Sequence, residues 1–166
     1  MNVGASAPEE AGQYFSWGNT DGHTPGDGYE FTKARYNNTP GVEISGDIPL
    51  SQDAARFNMG GSWRMPTRAE IEELFNNAYT TKEWVTNYQG SGVNGYLVTS
   101  KVNGNKLFFP AAGYFNGNYR DYGSILHYWT SSISSSDNAY CLIYGAEGYL
   151  DNVNLRFIGS SVRAVQ

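Results

Sequence analysis

The chain has 166 residues, a formal net charge of -5, and a composition with 15% aromatic but only 16% charged residues. This length predicts one domain with a hydrophobic core of its own. The absence of a basic run argues against nucleic-acid binding, the single cysteine excludes an intrachain disulfide, and no apolar run reaches the roughly 18 residues of a membrane-spanning helix.

The 13 tyrosines and 20 glycines allow two interpretations. Tyrosine mixed with small polar residues is typical of antibody binding loops, where the ring supplies contact area at low entropic cost. Tyrosine is also simply a good β-strand former. Composition alone leaves both interpretations open.

Residues 1–48 contain few periodic segments. The stretch QYFSWG predicts a short strand, and NTDGHTPGDG predicts a turn-rich loop. Asp21, Asp27 and Glu30 carry the oxygen ligands that calcium prefers. Their spacing is not that of an EF-hand loop, however, and Asp and Gly are ordinary turn residues. We therefore expect no metal and no cofactor.

A first helix is predicted in SQDAARFNMGG. Ser51 is the expected N-cap, and the pair Gly60-Gly61 is expected to end the helix. The residues expected to face inward are Ala54, Ala55 and Phe57.

A second helix is predicted more clearly in PTRAEIEELFNNAY. Thr67 and Glu70 have the T-x-x-E spacing of a capping box. An apolar face with helical spacing follows, formed by Ile71, Leu74, Phe75 and Ala78. Glu72 and Glu73 fall on the opposite face, so we expect a solvated surface there rather than a catalytic carboxylate pair.

From residue 95 onward the pattern predicts β-structure. GYLVTSKV and KLFFPAAG flank Asn103-Gly104, the preferred pair for a type I′ hairpin turn. Further short strands are predicted in HYWTSS, NAYCLIYG and SSVRAV. The run after NAYCLIYG has no obvious core pattern and is expected to be loop-like. The fold class is therefore α+β, with two helices, a mainly antiparallel sheet and long irregular loops.

The sequence carries no recognisable catalytic signature. It has no G-x-S-x-G elbow, P-loop, H-E-x-x-H motif or dinucleotide fingerprint. His127 lies among aromatic residues and is expected to pack or to lie on the surface, and a zinc site is not supported because the two histidines are isolated. Cys141 lies in an alternating strand, where a buried thiol is expected rather than a nucleophile.

Five motifs in one order carry a family resemblance: NVGASAPEEAGQYFSWG, GGSWRMPTRAEIEEL, PAAGY, YWTSS and SVRAV. Together they resemble the Fibrobacter succinogenes major paralogous domain of gut Bacteroidetes surface proteins, over nearly the whole chain. That family is similar to the C-type lectin fold and to the formylglycine-generating enzymes. Those enzymes use a pair of cysteines, whereas this chain has only Cys141, so the resemblance implies a lectin-like binding scaffold and no enzyme.

The resemblance has a further implication, because some proteins of the C-type lectin fold are the variable targets of diversity-generating retroelements. Randomised adenines in Asn codons cannot yield Glu, Lys, Gln, Met or Trp. Residues 1–106 contain 21 of these five residue types, whereas residues 107–165 contain two, Trp129 and Glu147. Such depletion is expected of a diversified segment. The alternative is that a Gly- and Tyr-rich β segment is poor in Lys and Glu for structural reasons.

The expected variable surface comes from two stretches, 114–127 and the chain after residue 140. Aromatic residues there would anchor a partner, since interface energy concentrates in buried aromatic side chains. The predicted ligand-binding residues are Tyr119, Asp121, Tyr122, Ser124, Leu126, Cys141, Ile143, Tyr144, Tyr149, Leu150, Asp151, Asn152, Asn154, Leu155 and Phe157. Residues expected to brace the scaffold instead are Trp63, Arg64, Trp129, Arg156 and Arg163.

We interpret the chain as a single C-type-lectin-like domain over residues 1–166, forming the C-terminal part of a longer protein. Its expected partner is a protein or a cell-surface glycan, with no nucleic acid and no direct membrane insertion. The expected location is the cell surface, through a lipoprotein anchor, or the tip of a phage tail fibre. The alternative is a surface adhesin or glycan-binding module of fixed specificity.

Overall fold

The computed structural model of the chain describes residues 1–37 and 45–166, and for residues 150–152 it describes the backbone alone. These residues form three short α-helices, α1 (Lys33–Asn37), α2 (Ala54–Met59) and α3 (Arg68–Leu74). The strands are β1 (Tyr14–Phe15), β2 (Thr80–Val85), β3 (Gly95–Ser100), β4 (Lys106–Pro110), β5 (Tyr114–Asn116), β6 (Asn118–Arg120), β7 (Ile125–Ile133), β8 (Asn138–Gly145), β9 (Gly148–Leu155) and β10 (Ser160–Ser161).

The strands form one large sheet and two small ones. The large sheet has the order β1-β10-β7-β8-β9, a second sheet has the order β2-β3-β4, and β5 pairs with β6. Every pairing is antiparallel except that of β10 with β7. The predicted α+β class with a mainly antiparallel sheet is confirmed.

Strand β7 lies between two hydrophobic cores. Side chains alternate across a strand, so Leu126 and Tyr128 enter one core while Trp129 enters the other. The core around Trp129 also contains Val3, Phe15 and residues of α2, and the core around Tyr128 also contains Ile71 of α3 and Phe109 of β4. The large sheet is therefore covered on both faces.

Both chain ends are fixed to this sheet by buried hydrogen bonds. The side-chain amide of Asn2 donates to the hydroxyl of Tyr128, and its carbonyl accepts from Arg163. The indole of Trp129 donates to the carbonyl of Phe15 at 2.8 Å. Arg163 is buried and lies over the ring of Phe109, which confirms its predicted bracing role.

The first predicted helix exists but begins later than expected. Its N-cap is Asp53, not Ser51, which lies in a preceding 3-10 turn spanning Leu50–Gln52. Gly60 ends the helix with a positive φ, as predicted. Phe57 is 65% exposed instead of facing inward, because the helix has only six residues and buries just Ala54 and Ala55.

The second predicted helix has the predicted capping box. The Thr67 hydroxyl accepts from the Glu70 amide, and the Glu70 carboxylate accepts from the Thr67 amide. Arg64 binds the same carboxylate and, with these hydrogen bonds, lowers the pKa of Glu70 to about 2. Ile71 is buried, but the helix ends at Leu74, so Ala78 lies beyond it and is exposed.

The predicted hairpin between β3 and β4 is present, with a longer connection than a type I′ turn. Residues 101–105 separate the two strands. Gly104 has a φ of 73°, while Asn103 is not among the residues with positive φ. A type I′ turn needs positive φ at both central residues, so the register is set by a five-residue loop instead.

The last forty residues are more regular than predicted. Strand β8 has the predicted extent, whereas the run expected to be loop-like forms strand β9 and pairs with β8. On β9 the register with β8 shifts between Tyr149 and Val153, which breaks the alternation that would have indicated a strand. SSVRAV forms only the short β10, extended by single bridges to Asn2 and Arg64.

Asp53 connects α2 to the segment before α3, and we expect its removal to destabilise the fold. Its buried carboxylate accepts from the amides of Ala55, Arg56 and Met65. Asp53→Ala should cost about 3 kcal/mol in the free energy of unfolding, because it leaves buried amides without an acceptor. Urea denaturation followed by circular dichroism measures the loss.

Two matched substitutions test this assignment. Asp53→Asn keeps one acceptor oxygen and should lose less stability than Asp53→Ala. Asp47→Ala removes an exposed carboxylate that accepts from one amide, that of Ile133, and should cost less than about 1 kcal/mol. Equal losses for Asp53→Ala and Asp47→Ala would contradict the anchoring role.

Candidate functional site

The fold brings the two predicted stretches together at one end of the large sheet. Ile125 at the start of β7 pairs with Gly145 at the end of β8, and Gly145 pairs with Gly148 at the start of β9. Tyr144 therefore stands between Leu126 and Tyr149 on neighbouring strands. The turn before β7 and the β8–β9 hairpin lie side by side.

Three of the predicted ligand-binding residues are core residues, and their assignment to a surface is corrected. Leu126, Cys141 and Ile143 are 0%, 3% and 9% exposed. Leu126 and Ile143 pack in the two cores that cover the sheet, and Cys141 packs in the core around Trp129 while bordering the groove beside α3.

Tyr119 and Phe157 are half-buried parts of the scaffold. The Tyr119 hydroxyl hydrogen-bonds to the hydroxyl of Tyr14 and donates to the carbonyl of Ala112. Its ring stacks on Phe115, with ring centroids 4.6 Å apart. Burial raises the pKa of Tyr119 to about 12. Phe157 packs against the core around Trp129.

Asn154 takes part in a buried polar chain with His127 and Ser160. The Asn154 amide lies 3.0 Å from Nε2 of His127, and the Ser160 hydroxyl lies 2.8 Å from Nδ1. Because the Asn154 amide donates to Nε2, the proton of the neutral ring lies on Nδ1. Nδ1 therefore donates to the Ser160 hydroxyl. Ser160 and His127 are 0% and 1% exposed, so this Ser-His-Asn arrangement is closed to a substrate and links β7, β9 and β10.

The turn before β7 presents a cluster of exposed candidates. Asp121, Tyr122 and Ser124 are all exposed, Tyr122 to 56%. Asp121 has a φ of 57°, a left-handed conformation that Asp tolerates better than most residues. The amide of Gly123 donates to Ala111, and the side chain of Asn94 donates to the carbonyl of Gly123. These bonds hold the backbone while the side chains face solvent.

Strand β9 carries the other exposed candidates and is the last strand in the order of the large sheet. Tyr149 is 57% exposed and Leu155 is 38% exposed. The predicted residues Leu150, Asp151 and Asn152 belong to this strand, and their side chains lie outside the described residues.

A groove of about 310 Å³ lies between α3 and strands β8 and β9. This volume is at the lower end of the range of small-ligand pockets, roughly 300–1,000 Å³. Three of its lining residues, Tyr144, Tyr149 and the buried Cys141, were predicted ligand-binding residues. The other main side chains at its walls, which the sequence did not indicate as binding residues, are Arg68, Glu72, Phe75 and Tyr140.

The polar groups of the groove form an internally neutral pair. The Nε of Arg68 donates to Glu72 at 2.6 Å, and the guanidinium lies 4.1 Å from the centre of the Tyr140 ring. The Tyr144 ring meets Phe75 at 5.3 Å and Tyr149 at 6.0 Å between centroids. Three tyrosines and a planar ion pair therefore surround one concave surface.

The carboxylates considered for calcium are engaged in local turns. Asp27 accepts from the amides of Thr24 and Tyr29 and from the ring of His23. Within residues 1–37 and 45–166, no group of three or more His, Cys, Asp or Glu side chains has the arrangement of a metal site. Over the same ranges, no helix is long and apolar enough to cross a membrane.

Comparison of the chain with protein-family models, with curated proteins and with solved structures gives no match in any of the three.

The buried polar chain predicts a pH dependence of stability. Burial lowers the pKa of His127 to about 3 from its ordinary 6.5. The unfolded chain binds a proton below about pH 6.5 and the folded chain does not, so stability falls as the pH decreases through this window. Between pH 6.5 and about pH 5 the loss due to His127 should be about 1.5 kcal/mol, measured by urea denaturation.

The matched variant is His127→Gln, which keeps a polar side chain and cannot be protonated. Its stability should change less over the same pH interval, although it is lower overall. In the unaltered protein, the ring protons of His127 should keep the NMR shifts of the neutral imidazole at pH 5. Protonation of His127 at that pH in the folded protein would contradict the assignment.

Proposed function

We propose that the chain is a non-enzymatic ligand-binding domain with a C-type-lectin-like architecture. In this proposal, the exposed turn before β7 and the outer strand β9 form a binding surface that a retroelement diversifies. The ligand is a protein or glycan on another cell, and the domain is displayed at a cell surface or at a phage tail tip.

The observation that carries the proposal is the division of residues 107–165 into a buried framework and an exposed rim. Within the motifs YWTSS and SVRAV, Tyr128, Trp129 and Val162 are 0% exposed. Tyr122 and Tyr149, between these motifs, are more than half exposed. A diversified protein needs this division, because exchange at exposed positions usually changes stability by less than about 0.5 kcal/mol, whereas core exchanges cost several times more.

Trp129 and Glu147 are the two residues within 107–165 that randomised Asn codons cannot yield, and both are consistent with this division. Trp129 is fully buried and donates its indole hydrogen bond to Phe15, so a scaffold requires it. Glu147 is exposed in the turn between β8 and β9. A fixed position in that turn would keep the hairpin register constant while β9 changes.

The alternative function is a surface adhesin or glycan-binding module of fixed specificity. The groove beside α3 favours this alternative, because a single concave site with aromatic walls can bind a ligand without diversification. Variation among natural copies of the gene separates the two functions.

Sequencing the gene across a natural population is the test of diversification. Substitutions should concentrate at the exposed positions Tyr122, Ser124, Tyr149 and Leu155. Leu126, Cys141 and Ile143 should remain apolar, because all three are buried.

Phe57 provides the internal control. It is 65% exposed, at least as much as Tyr149, but lies outside the depleted segment. Targeted diversification leaves Phe57 constant while Tyr149 varies. If Phe57 varies as much as Tyr149, ordinary surface drift explains the variation and the retroelement proposal fails.

A further inference from the structure

We propose that one end of the small sheet β2-β3-β4 docks on the surface of an anionic lipid bilayer, with no element crossing the bilayer. This end combines the start of β2 with the connection between β3 and β4. We call it the lysine tip, and its side chains are Tyr79, Lys82, Lys101, Val102, Lys106 and Leu107. Docking of this kind is independent of the ligand-binding function proposed above.

The backbone holds the two segments of the lysine tip together. The amide of Lys101 donates to the carbonyl of Tyr79 at 2.8 Å. Lys82 of β2 and Leu107 of β4 both pair with Val98 of β3. Side chains paired across strands lie on the same face of a sheet, so Lys82 and Leu107 flank the buried Val98. Cationic and apolar side chains therefore meet at this end of the sheet.

Two ammonium groups of the tip converge on Asn77. The Nζ of Lys82 donates to the side-chain carbonyl of Asn77 and, at 2.6 Å, to the backbone carbonyl of Phe75. The Nζ of Lys101 donates to the backbone carbonyl of Asn77 at 2.6 Å. Partial burial and the charge of Lys101 lower the pKa of Lys82. An anion beside the two lysines would relieve the repulsion between their charges.

The charge balance of the lysine tip differs from that of the chain as a whole. Within residues 1–37 and 45–166, no carboxylate forms an ion pair with any of the three tip lysines. Residues 84–120 contain no Asp or Glu, although the chain has a net charge of -5. Glu83 follows Lys82 on β2, but successive side chains of a strand point to opposite faces. The tip is therefore a cationic area on an acidic protein.

Apolar side chains project from the same tip. Val102 is 86% exposed, Tyr79 is 51% exposed and Leu107 is 44% exposed. Lys101 and Lys106 lie on either side of Val102 in the chain. A tyrosine has an apolar ring with a polar end, which suits the boundary between lipid and water. Lysine stems likewise cover apolar surface while their ammonium groups stay among polar headgroups.

A bilayer fits this combination better than a partner with a rigid anionic group. Lysine carries a point charge on a flexible stem, whereas arginine has the planar fork that recognises one carboxylate or phosphate. The charges of the tip are three lysines. Residues 101–107 are all exposed, as in a projecting loop. Flexible cations around apolar side chains match the phosphates of an anionic bilayer and the hydrocarbon beneath them.

Docking through the lysine tip would leave the candidate binding surface accessible. Strand β3 ends at the tip and begins beside that surface. At its beginning, the Tyr96 hydroxyl donates to the carbonyl of Gly145 in β8, and the Asn94 side chain donates to Gly123 in the turn before β7. The six residues of β3 span about 17 Å at the usual rise per residue. The bilayer and the ligand would therefore contact opposite ends of β3.

Sedimentation of the 166-residue chain with lipid vesicles tests the docking. The vesicles are phosphatidylcholine alone and phosphatidylcholine with one third phosphatidylglycerol, in EDTA to exclude bridging by divalent cations. Partitioning onto the anionic vesicles should exceed that onto the neutral ones by at least about tenfold. It should decrease as salt is added, because salt screens interactions between exposed charges.

Matched substitutions test whether the tip makes the contact. Lys101→Gln and Lys106→Gln should each lower partitioning about fivefold, the effect of one lysine near an anionic bilayer. Lys33→Gln removes the same charge from a lysine outside the tip, with its side chain 61% exposed, and should lower partitioning less than about twofold. Val102→Ser should lower it at least about threefold, because it removes an inserted apolar side chain. Phe57→Ser, at a position 65% exposed outside the tip, should leave it unchanged.

Four results overturn the proposal, once circular dichroism melting has shown that each variant is folded. The first is equal partitioning onto neutral and anionic vesicles. The second is an equal loss with Lys33→Gln and Lys101→Gln, which would mean that only net charge matters. The third is unchanged partitioning of Val102→Ser. The fourth is binding to immobilised polyglutamate without binding to anionic vesicles, which would identify an acidic protein segment as the partner. None of these results bears on the ligand-binding function, which variation at Tyr122 and Tyr149 tests separately.

Discussion

The packing of two consecutive residues, Tyr128 and Trp129, on opposite faces of β7 is the constraint on which the rest of the structure depends. Each ring is fully buried, and each polar atom has a partner: the Tyr128 hydroxyl donates to Pro110, and the Trp129 indole donates to Phe15. Buried aromatic side chains with satisfied polar atoms are strongly position-specific. A slip of one residue would exchange the two rings between unlike cores, so the register of β7 is fixed.

This fixed strand explains how the sheet tolerates an exposed outer strand. Strand β8 is held against β7 through the pairs from Ile125–Gly145 to Trp129–Cys141, and β9 is attached only to β8 within the large sheet. An outer strand exposes unpaired backbone groups and invites aggregation unless it is irregular. The register shifts between β8 and β9 supply that irregularity. The outer strand can therefore present Tyr149 to solvent without offering a flat edge.

The sequence predicted those parts of the fold that depend on short-range pattern. The capping box of Thr67 and Glu70 and the extent of β8 follow from neighbouring residues and appear as expected. Strand β9 was missed because bulges remove the alternation by which a strand is recognised. The N-cap at Asp53 was missed because its choice over Ser51 depends on Met65, twelve residues away, whose amide it also binds.

The candidate site was predicted less well than the fold, for a related reason. Local sequence does not show whether a strand is covered on one face or on two, so Leu126 and Ile143 were assigned to a surface although both are buried in the cores. Asn154 also appeared to be a surface residue, because the partner of its amide, His127, lies 27 residues away. The groove depends on α3 packing beside β8, a contact that no local pattern in either segment indicates.

Tyr144 shows why the proposed exchangeable surface is smaller than the one that the sequence predicted. Its ring is half-buried and meets Phe75 and Tyr96, both outside the depleted segment, at 5.3 and 5.2 Å. Replacing it would leave a gap against two fixed rings, and such cavities cost stability in proportion to their volume. Tyr149, one strand further out, is 57% exposed, so its replacement should leave a smaller gap. In the proposed diversified domain, the boundary between scaffold and exchangeable positions would therefore run between these two paired tyrosines, and variation would be confined to the outer strand and the turn beside it.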